Sequence, residues 1–295
     1  MGDYHVHLHD HGAYSGHGPI PGQYPEGLIE AYVENAARNG LTEVGFTEHL
    51  YRCTEAARVL GEFWTDEPRL DLAAETAAMV AADRTLSIDA YVDAVLAAKD
   101  RGLPVKLGLE VDFFPDTIDA VMTFLEPYPW DFLVGAVHWV GGWSVDYGVS
   151  SYEFARRGVR RSYEDYFAVE TRLAASGVFD VIAHVDVVKR FGDVPVTPPT
   201  HLYEPVVAAA AATGTAVEVS SAGLRKPVGE IYPAPEFLKL FHLAGVPITL
   251  ASDAHVAGDC GRDMDVVIKA ARAAGYDTHL EFVERRRSER RLPVA

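Results

Sequence analysis

Short apolar runs rich in Val, Ile and Phe recur along this 295-residue chain, and stretches with helical periodicity separate them. Short runs that are apolar on both faces are typical of strands covered by helices on either side of a sheet. The pattern predicts seven strands, at residues 3–7, 43–47, 105–111, 132–137, 181–185, 216–220 and 247–251.

The segments between these strands carry apolar residues at helical spacing. Residues 28–36 show such a stripe, with Gly40 as a stop, and residues 88–96 show another behind Ser87, a favourable N-cap. Similar stripes occupy 163–173, 203–210, 237–241 and 266–271. Strands alternating with helices predict a parallel α/β architecture, either closed into a barrel or open and doubly wound.

The chain shows no Pro/Gly/Ser-rich linker and no internal repeat, so we expect a single domain over residues 1–295. Residues 51–86 interrupt the alternation with weak periodicity, which indicates a lid or a helical insertion within that domain. The basic run at 285–291 lies near the C-terminus and is interpreted as a solvated tail.

Charge and composition narrow the possible partners. The formal net charge is −17, the opposite of the basic balance that nucleic-acid binding requires. No secretory signal and no apolar stretch of about 20 residues is present, so no membrane partner is expected. Two cysteines without pairing spacing suit the reducing cytoplasm, where we expect the protein to act. The sequence makes no prediction of oligomeric state.

Metal-binding residue types collect at one end of the predicted strands. Six of the seven strands end in, or run into, a histidine or an acid. In a parallel β/α fold these carboxyl ends meet at one mouth, where active sites lie. The residues concerned are His5, His7, Glu48, His49, Glu110, His138, His184, Asp253 and His255.

The spacing of these residues favours metal binding over packing. His5 and His7 are two apart on a strand, so their side chains share a face, and Asp253 and His255 have the same spacing. Imidazoles mixed with carboxylates suit Zn, Fe or Mn better than Mg or Ca. The set exceeds what one tetrahedral ion needs, so two or three divalent metal ions are predicted.

In order, these motifs resemble the PHP (polymerase and histidinol phosphatase) superfamily. They are His5-Val6-His7, Thr47-Glu48-His49, Gly108-Leu109-Glu110, His138, His184 and Ser252-Asp253-Ala254-His255. Four further segments resemble the histidinol-phosphate phosphatases of that superfamily, namely 108–113, 184–192, 221–225 and 230–233. The resemblance implies a distorted seven-stranded (β/α)7 barrel, similar to a TIM barrel, with the metal site at the C-terminal ends of the strands.

The resemblance also implies the metal ligands, which are His5, His7, His49, Glu110, His138, His184, Asp253 and His255. A further ligand is implied in the loop after the first strand. His11, followed by Gly12, fits the family's His-Gly pattern best, with His17 as the runner-up and His9 as a loop residue. His201, His242 and His279 fall on helix faces or flanks and are interpreted as structural.

The expected activity is hydrolysis of a small phosphate monoester, L-histidinol phosphate in histidine biosynthesis, by attack of a metal-bridging hydroxide. Asp253 is the expected proton acceptor, and the expected proton donor is either a site histidine, with His255 as the catalytic candidate, or a metal-bound water. Arg190 and Arg225 follow strands and are candidates for binding phosphate, with Lys189 as a weaker one. Glu48 either binds the substrate amine or orients a metal-binding histidine.

Two alternatives remain at this point. The same metal site would also serve a nucleotide, a sugar phosphate or another small monoester. A non-catalytic PHP module is the other alternative, although such modules lose ligands and every ligand position is filled here. Ser220-Ser221 departs from the Asn often found before the Ala-Gly-Leu-Arg segment in this family.

Overall fold

A computed structural model describes residues 1–11 and 18–293, and it shows strands and helices alternating along the chain. The strands are β1 (Gly2–Val6), β2 (Glu43–Phe46), β3 (Val105–Leu107), β4 (Glu110–Asp112), β5 (Val134–Ala136), β6 (Trp139–Val140), β7 (Trp143–Ser144), β8 (Val181–Ile182), β9 (Ala216–Ser220), β10 (Ile248–Ala251), β11 (Thr278–Val283) and β12 (Arg286–Arg291). The helices are α1 (Leu28–Arg38), α2 (Ala57–Leu60), α3 (Leu70–Asp83), α4 (Ile88–Asp100), α5 (Ile118–Leu125), α6 (Tyr152–Arg157), α7 (Val159–Ser176), α8 (Thr200–Thr213), α9 (Pro235–Leu243) and α10 (Met264–Ala274).

The eight strands that surround the core form two parallel sheets, and the fold is α/β as predicted. One sheet has the order β1-β2-β3, and the other has the order β10-β9-β8-β5-β4. Between the sheets the pairing is reduced to two isolated parallel bridges, Val6 with Ala254 and His49 with Glu110. The sheets therefore adjoin at both edges without forming one continuous, closed ladder.

One predicted strand is divided into two. Residues 105–111 were expected to be continuous, but β3 and β4 belong to different sheets, and Gly108 and Leu109 separate them. A side chain at Gly108 would have its Cβ 2.5 Å from the Phe132 ring, and one at Gly45 would have it 2.7 Å from the same ring. Glycine is thus required at both positions for Phe132 to fill the interior.

The helices agree with the apolar stripes. Ser87 caps α4, since its side chain accepts a hydrogen bond from the Ala90 amide. The segment predicted as an insertion, 51–86, contains α2, α3 and short 3-10 turns. The helices α2, α3, α5 and α6 were not assigned individually from the sequence.

The C-terminal segment corrects two predictions. The basic run was expected to be a solvated tail, but Arg286–Arg291 forms β12, an exposed strand paired with β11 in an antiparallel hairpin. His279 was placed on a helix flank, whereas it is buried in β11. Leu280 and Phe282 of β11 pack into a small apolar cluster with Tyr4 and Phe132, so the hairpin covers the end of the core opposite the histidines. Both predictions failed because β11 contributes only a few apolar residues, Leu280 and Phe282 among them, and a charged run follows it directly.

Candidate metal centre

The carboxyl ends of the parallel strands bring the predicted metal-binding residues together. His5 lies in β1, His7 follows it, and both are fully buried on the same side of the strand. Asp253 and His255 follow β10, which neighbours β1 through the hydrogen bond from the His7 amide to the Ala254 carbonyl, 2.7 Å long. Asp253 has a φ of 51°, a left-handed conformation that is uncommon outside glycine and that occurs at functional sites.

Glu110 occupies the middle of the cluster. Its Oε2 lies 2.7 Å from His49 Nδ1, 3.4 Å from His5 Nε2 and 3.6 Å from His7 Nε2. Its Oε1 lies 3.0 Å from His184 Nε2 and 3.4 Å from His138 Nε2. One buried carboxylate therefore faces five imidazoles that lie in or after four strands, β1, β2, β5 and β8.

Asp253 adds a second carboxylate to this cluster. Its Oδ1 is 3.4 Å from His7 Nε2 and 3.9 Å from His5 Nε2. It is also 3.6 Å from His255 Nδ1. All eight residues implied as ligands by the ordered motifs thus lie in one cluster.

The donor atoms fit divalent metal ions. Buried polar atoms in proteins almost always have hydrogen-bond partners, yet within the described part of the chain His5 Nε2, both ring nitrogens of His7 and His255 Nε2 have none. Three overlapping groups have ligand atoms within 4.8 Å of one another: His7, His49 and His255; His5, His7 and Glu110; and His49, Glu110 and His138. Mixed imidazole and carboxylate donors of this kind suit Zn, Fe or Mn.

Of the two histidines of the loop after β1 that the structure describes, His9 and His11, the second reaches the cluster. Its Nε2 lies 3.1 Å from His49 Nε2, and its ring centroid lies 4.6 Å from that of His255. His9 points elsewhere, with Nδ1 3.1 Å from Glu48 and Nε2 3.0 Å from the Gln23 carbonyl. His17, the runner-up, lies outside the described residues.

Two carboxylates that sequence reasoning did not assign hold the histidines in place. Glu218, in β9, lies with Oε2 2.7 Å from His5 Nδ1, while its Oε1 accepts a hydrogen bond of 2.9 Å from the His184 amide. Asp112 lies 2.7 Å from His138 Nδ1. Such contacts fix the imidazole tautomer and leave the other nitrogen available to a metal. The signal for Glu218 was an acid inside an apolar strand, since a buried carboxylate needs partners.

Burial keeps several imidazoles of the cluster neutral, while the central carboxylate is ionised. Burial lowers the pKa of His49 to about 3, despite the opposing Glu110 carboxylate, and burial also lowers the pKa of His7. Neutral imidazole is the form that binds metals. Burial would raise the pKa of Glu110, but His49, His5 and His138 outweigh it and hold that pKa well below its usual value.

His5 and His138 behave differently from these imidazoles. For His138, burial would lower the pKa, but the carboxylates of Glu110, Asp146 and Asp112 raise it well above its usual value. The same holds for His5. Burial would lower its pKa, but the carboxylates of Glu218 and Glu110 raise that pKa well above its usual value.

A cavity of about 510 Å³ opens onto the cluster, and cations line its rim. Arg190 and Arg225 both line it, as expected, together with Lys226, which was not predicted. Arg225 is anchored by a 2.6 Å hydrogen bond from Nη2 to the Ser252 carbonyl. Arg190 lies 3.6 Å from Asp146, another residue of the lining. The cavity thus places basic side chains beside the histidines and carboxylates.

Two predicted substrate contacts do not face this cavity. Glu48 is fully buried, and its Oε1 accepts hydrogen bonds from the Leu8 and His9 amides, so it shapes the loop after β1. Lys189 is also buried, and its Nζ donates to Glu230 and to the Ile231 carbonyl at 2.6 and 2.8 Å. Both side chains were predicted from adjacency in sequence, but their local backbone directs them into the protein. Ser221 contacts Arg225 Nη1 at 3.3 Å, so the Ser-Ser departure supports this arginine.

No helix in the described part of the chain is long and apolar enough to cross a membrane.

Two curated relatives resemble the chain over most of its length. A probable histidinol-phosphatase of Deinococcus radiodurans is 32% identical over 263 residues, which is 89% of this chain and 93% of that protein. The histidinol-phosphatase of Bacillus subtilis is 27% identical over 254 residues, 79% of this chain and 89% of the relative.

A solved structure shares the fold. The histidinol phosphate phosphatase of Lactococcus lactis, determined with zinc, L-histidinol and phosphate, superposes with a TM-score of 0.72 at 20% identity. The match covers 97% of this chain and 98% of that one. The family model for the PHP domain matches residues 7–222, most of the chain. This match and the Deinococcus relative, together with the ordered histidine and acid motifs, show that the chain belongs to the PHP domain family.

Proposed function

We propose that this chain is a metal-dependent phosphomonoesterase that hydrolyses L-histidinol phosphate to L-histidinol and phosphate, a step of histidine biosynthesis that we place in the cytoplasm. The observation that carries the proposal is the buried cluster of carboxylate oxygens and unpartnered imidazole nitrogens beneath a cavity rimmed by basic side chains. The relatives named histidinol-phosphatase support the choice of substrate.

The proposal includes a distorted seven-stranded barrel holding two or three divalent ions, Zn, Fe or Mn. The two isolated bridges between the sheet edges support the barrel, since they bring β1 beside β10 and β2 beside β4. The three overlapping donor groups support more than one ion. His5, His7, His11, His49, Glu110, His138, His184, Asp253 and His255 would supply the ligands. Divalent ions bound there would lower the pKa of coordinated water and neutralise phosphoryl oxygens.

The cavity residues take separate parts in this reaction. Arg190 and Arg225 bind the phosphate oxygens, since guanidinium groups donate paired hydrogen bonds to phosphate, and Lys226 adds a point charge. Asp253 holds the attacking water and accepts its proton. Its pKa lies well below its usual value because His7, His5 and His255 outweigh the effect of burial, so it is ionised at neutral pH.

His255 is assigned to metal binding rather than to proton donation. Burial, together with the neighbouring His7 and His11, holds the pKa of His255 well below its usual value, so the ring is neutral at pH 7. A neutral imidazole with a free nitrogen is a ligand and not an acid. Water in the cavity is then the proton donor to the leaving alkoxide.

The test is phosphate release from L-histidinol phosphate by purified, metal-analysed protein, with a nucleotide and a sugar phosphate as competing substrates. The variant Asp253→Asn is expected to lower kcat by about 10²- to 10⁴-fold, the usual contribution of a positioned acid or base. Asp265→Asn, at an exposed acid on α10, is the matched control and should retain full activity. Unchanged turnover in Asp253→Asn refutes the assigned base, and a preference for nucleotides by orders of magnitude refutes the substrate.

A further inference from the structure

The segment between β2 and α4 reaches the metal centre through the last residue of α3. The Oδ2 atom of Asp83 lies 3.1 Å from His11 Nδ1. The opposite nitrogen of the same ring, Nε2, lies 3.1 Å from His49 Nε2 inside the cluster. His11 is therefore held between an acid of the insertion and the metal-binding residues.

The two ring nitrogens of His11 have different roles in this arrangement. An ionised carboxylate only accepts hydrogen bonds, so the contact with Asp83 places the proton of a neutral His11 on Nδ1. The lone pair is then on Nε2, the atom directed at His49. Asp83 lies behind the ring and stays outside the ligand set itself. Glu218 and Asp112 make the same kind of contact with His5 and His138.

Neighbouring residues at the start of the insertion support this contact. The Tyr51 hydroxyl donates a 2.7 Å hydrogen bond to Asp83 Oδ2, the oxygen that faces His11. The Arg52 guanidinium is buried, and it donates to the carbonyls of His9 and Asp10 at 3.0 and 2.8 Å. The insertion thus holds both the His11 ring and the backbone that leads to it.

The position of Asp83 in its helix indicates that the contact is not incidental. The C-terminus of a helix carries a partial negative charge, so a carboxylate in the last turn is electrostatically unfavourable. Asp83 is the final residue of α3, and it is buried. Contacts with Tyr51 and His11 compensate for that placement, and Arg52 Nε lies 4.0 Å away.

We propose that Asp83 is a positioning residue through which the 51–86 insertion completes the metal centre, by fixing the tautomer and orientation of His11 for one divalent ion. The insertion is then part of the metal site rather than only a cover over it. This inference rests on the proposed metal-dependent function, because it assigns His11 as a ligand.

The test compares Asp83→Ala with Asp83→Asn, since Asn keeps an acceptor oxygen and loses the charge. Zn²⁺ affinity is measured by competition with a chromogenic chelator, and the visible absorption of Co²⁺-loaded protein reports the ligand field. Asp83→Ala is expected to bind one ion about 10- to 100-fold more weakly, the usual effect of losing such a partner, and to alter the cobalt spectrum. Asp83→Asn should restore part of the ion affinity and part of the wild-type cobalt spectrum.

Asp66→Asn, at an exposed acid of the same insertion, is the control and should bind every ion as the wild type does. If Asp83→Ala does not fold, Tyr51→Phe still tests the proposal, because it removes only the hydroxyl that contacts both Asp83 Oδ2 and His11 Nδ1, at 2.7 and 3.2 Å. Wild-type affinity and spectrum in the foldable variants would overturn the inference. Wild-type protein that binds metal but releases no phosphate from L-histidinol phosphate would instead overturn the proposed function and leave this inference standing.

Discussion

Glu218 offers a direct test of how the carboxylates behind the ligands contribute to metal binding. It is buried in β9 and serves two strands at once, through His5 Nδ1 at 2.7 Å and the His184 amide at 2.9 Å. Glu218→Gln preserves the shape of the side chain but leaves a single acceptor oxygen. One of the two N–H donors must then face the amide NH₂, whichever way the amide is turned.

The size of the effect follows from that lost acceptor. A hydrogen bond to a charged group contributes about 1.5–3 kcal/mol. Since about 1.4 kcal/mol corresponds to a factor of ten, the expected loss is about 10- to 100-fold in affinity for the ion that His5 binds. This matches the usual effect of removing an outer carboxylate partner from a metal-binding histidine.

The assay is Zn²⁺ affinity by chelator competition, together with phosphate release at saturating metal. Glu170→Gln is the matched control, because Glu170 is equally buried but contacts the Tyr166 hydroxyl instead of a metal-binding residue. The control should keep wild-type affinity. If Glu218→Gln binds all its zinc as tightly as the wild type, the reasoning that one carboxylate orients His5 and the β8 loop is refuted.

Three further outcomes are expected. Arg190→Gln should lower kcat/KM about 10- to 100-fold, because a charged contact with the substrate is lost. Arg160→Gln, at a side chain that is 90% exposed, should leave kcat/KM unchanged. Equal effects of the two substitutions would contradict a role of Arg190 at the cavity. Removal of metal ions by a chelator should lower the Tm, because an ion present at 100 times its Kd stabilises the folded state by about 2.7 kcal/mol. Calorimetry with and without added zinc measures this difference, and an unchanged Tm would count against the metal site. Burial raises the pKa of Glu170 well above its usual value, so the folded state retains a proton that the unfolded state loses above about pH 4.3. As the pH rises above that value, the stability of the wild type then falls relative to that of Glu170→Gln by up to about 1.4 kcal/mol per pH unit. A difference in Tm between the two proteins that is the same at pH 5 and at pH 8 would disprove it.

The histidines and acids of the cluster were accessible from the sequence because strand geometry is local. The two-residue spacing of His5 and His7 fixes a shared face, and the ends of parallel strands converge whatever the details of the helices. Predictions that rested only on sequence adjacency to another site residue were less successful. Glu48 neighbours His49, and Lys189 neighbours Arg190. Each nevertheless turns into the interior, because buried partners hold it there, the Leu8 amide for Glu48 and the Ile231 carbonyl for Lys189.

The rest depended on contacts between residues far apart in the chain. Asp83 meets His11 across 72 positions, and Glu218 meets His5 across 213, so neither pair leaves a local periodic signal. The division of the strand at Gly108 is also a long-range effect, since it follows from the packing of Phe132 against the backbone. The β11–β12 hairpin was missed because β12, the strand that pairs with β11, is a run of charged residues.

The β11–β12 hairpin, which covers the end of the core opposite the histidines, also determines when the core can be completed during synthesis. Tyr4 packs with Phe132 and Phe282, at centroid distances of 5.2 and 5.8 Å, so β1 cannot be fully covered until β11 has left the ribosome. Asp253 and His255 follow His5 and His7 by 248 residues in the chain. The nascent polypeptide therefore carries an unfinished cluster of histidines and acids until the residues that follow β10 have emerged from the ribosome.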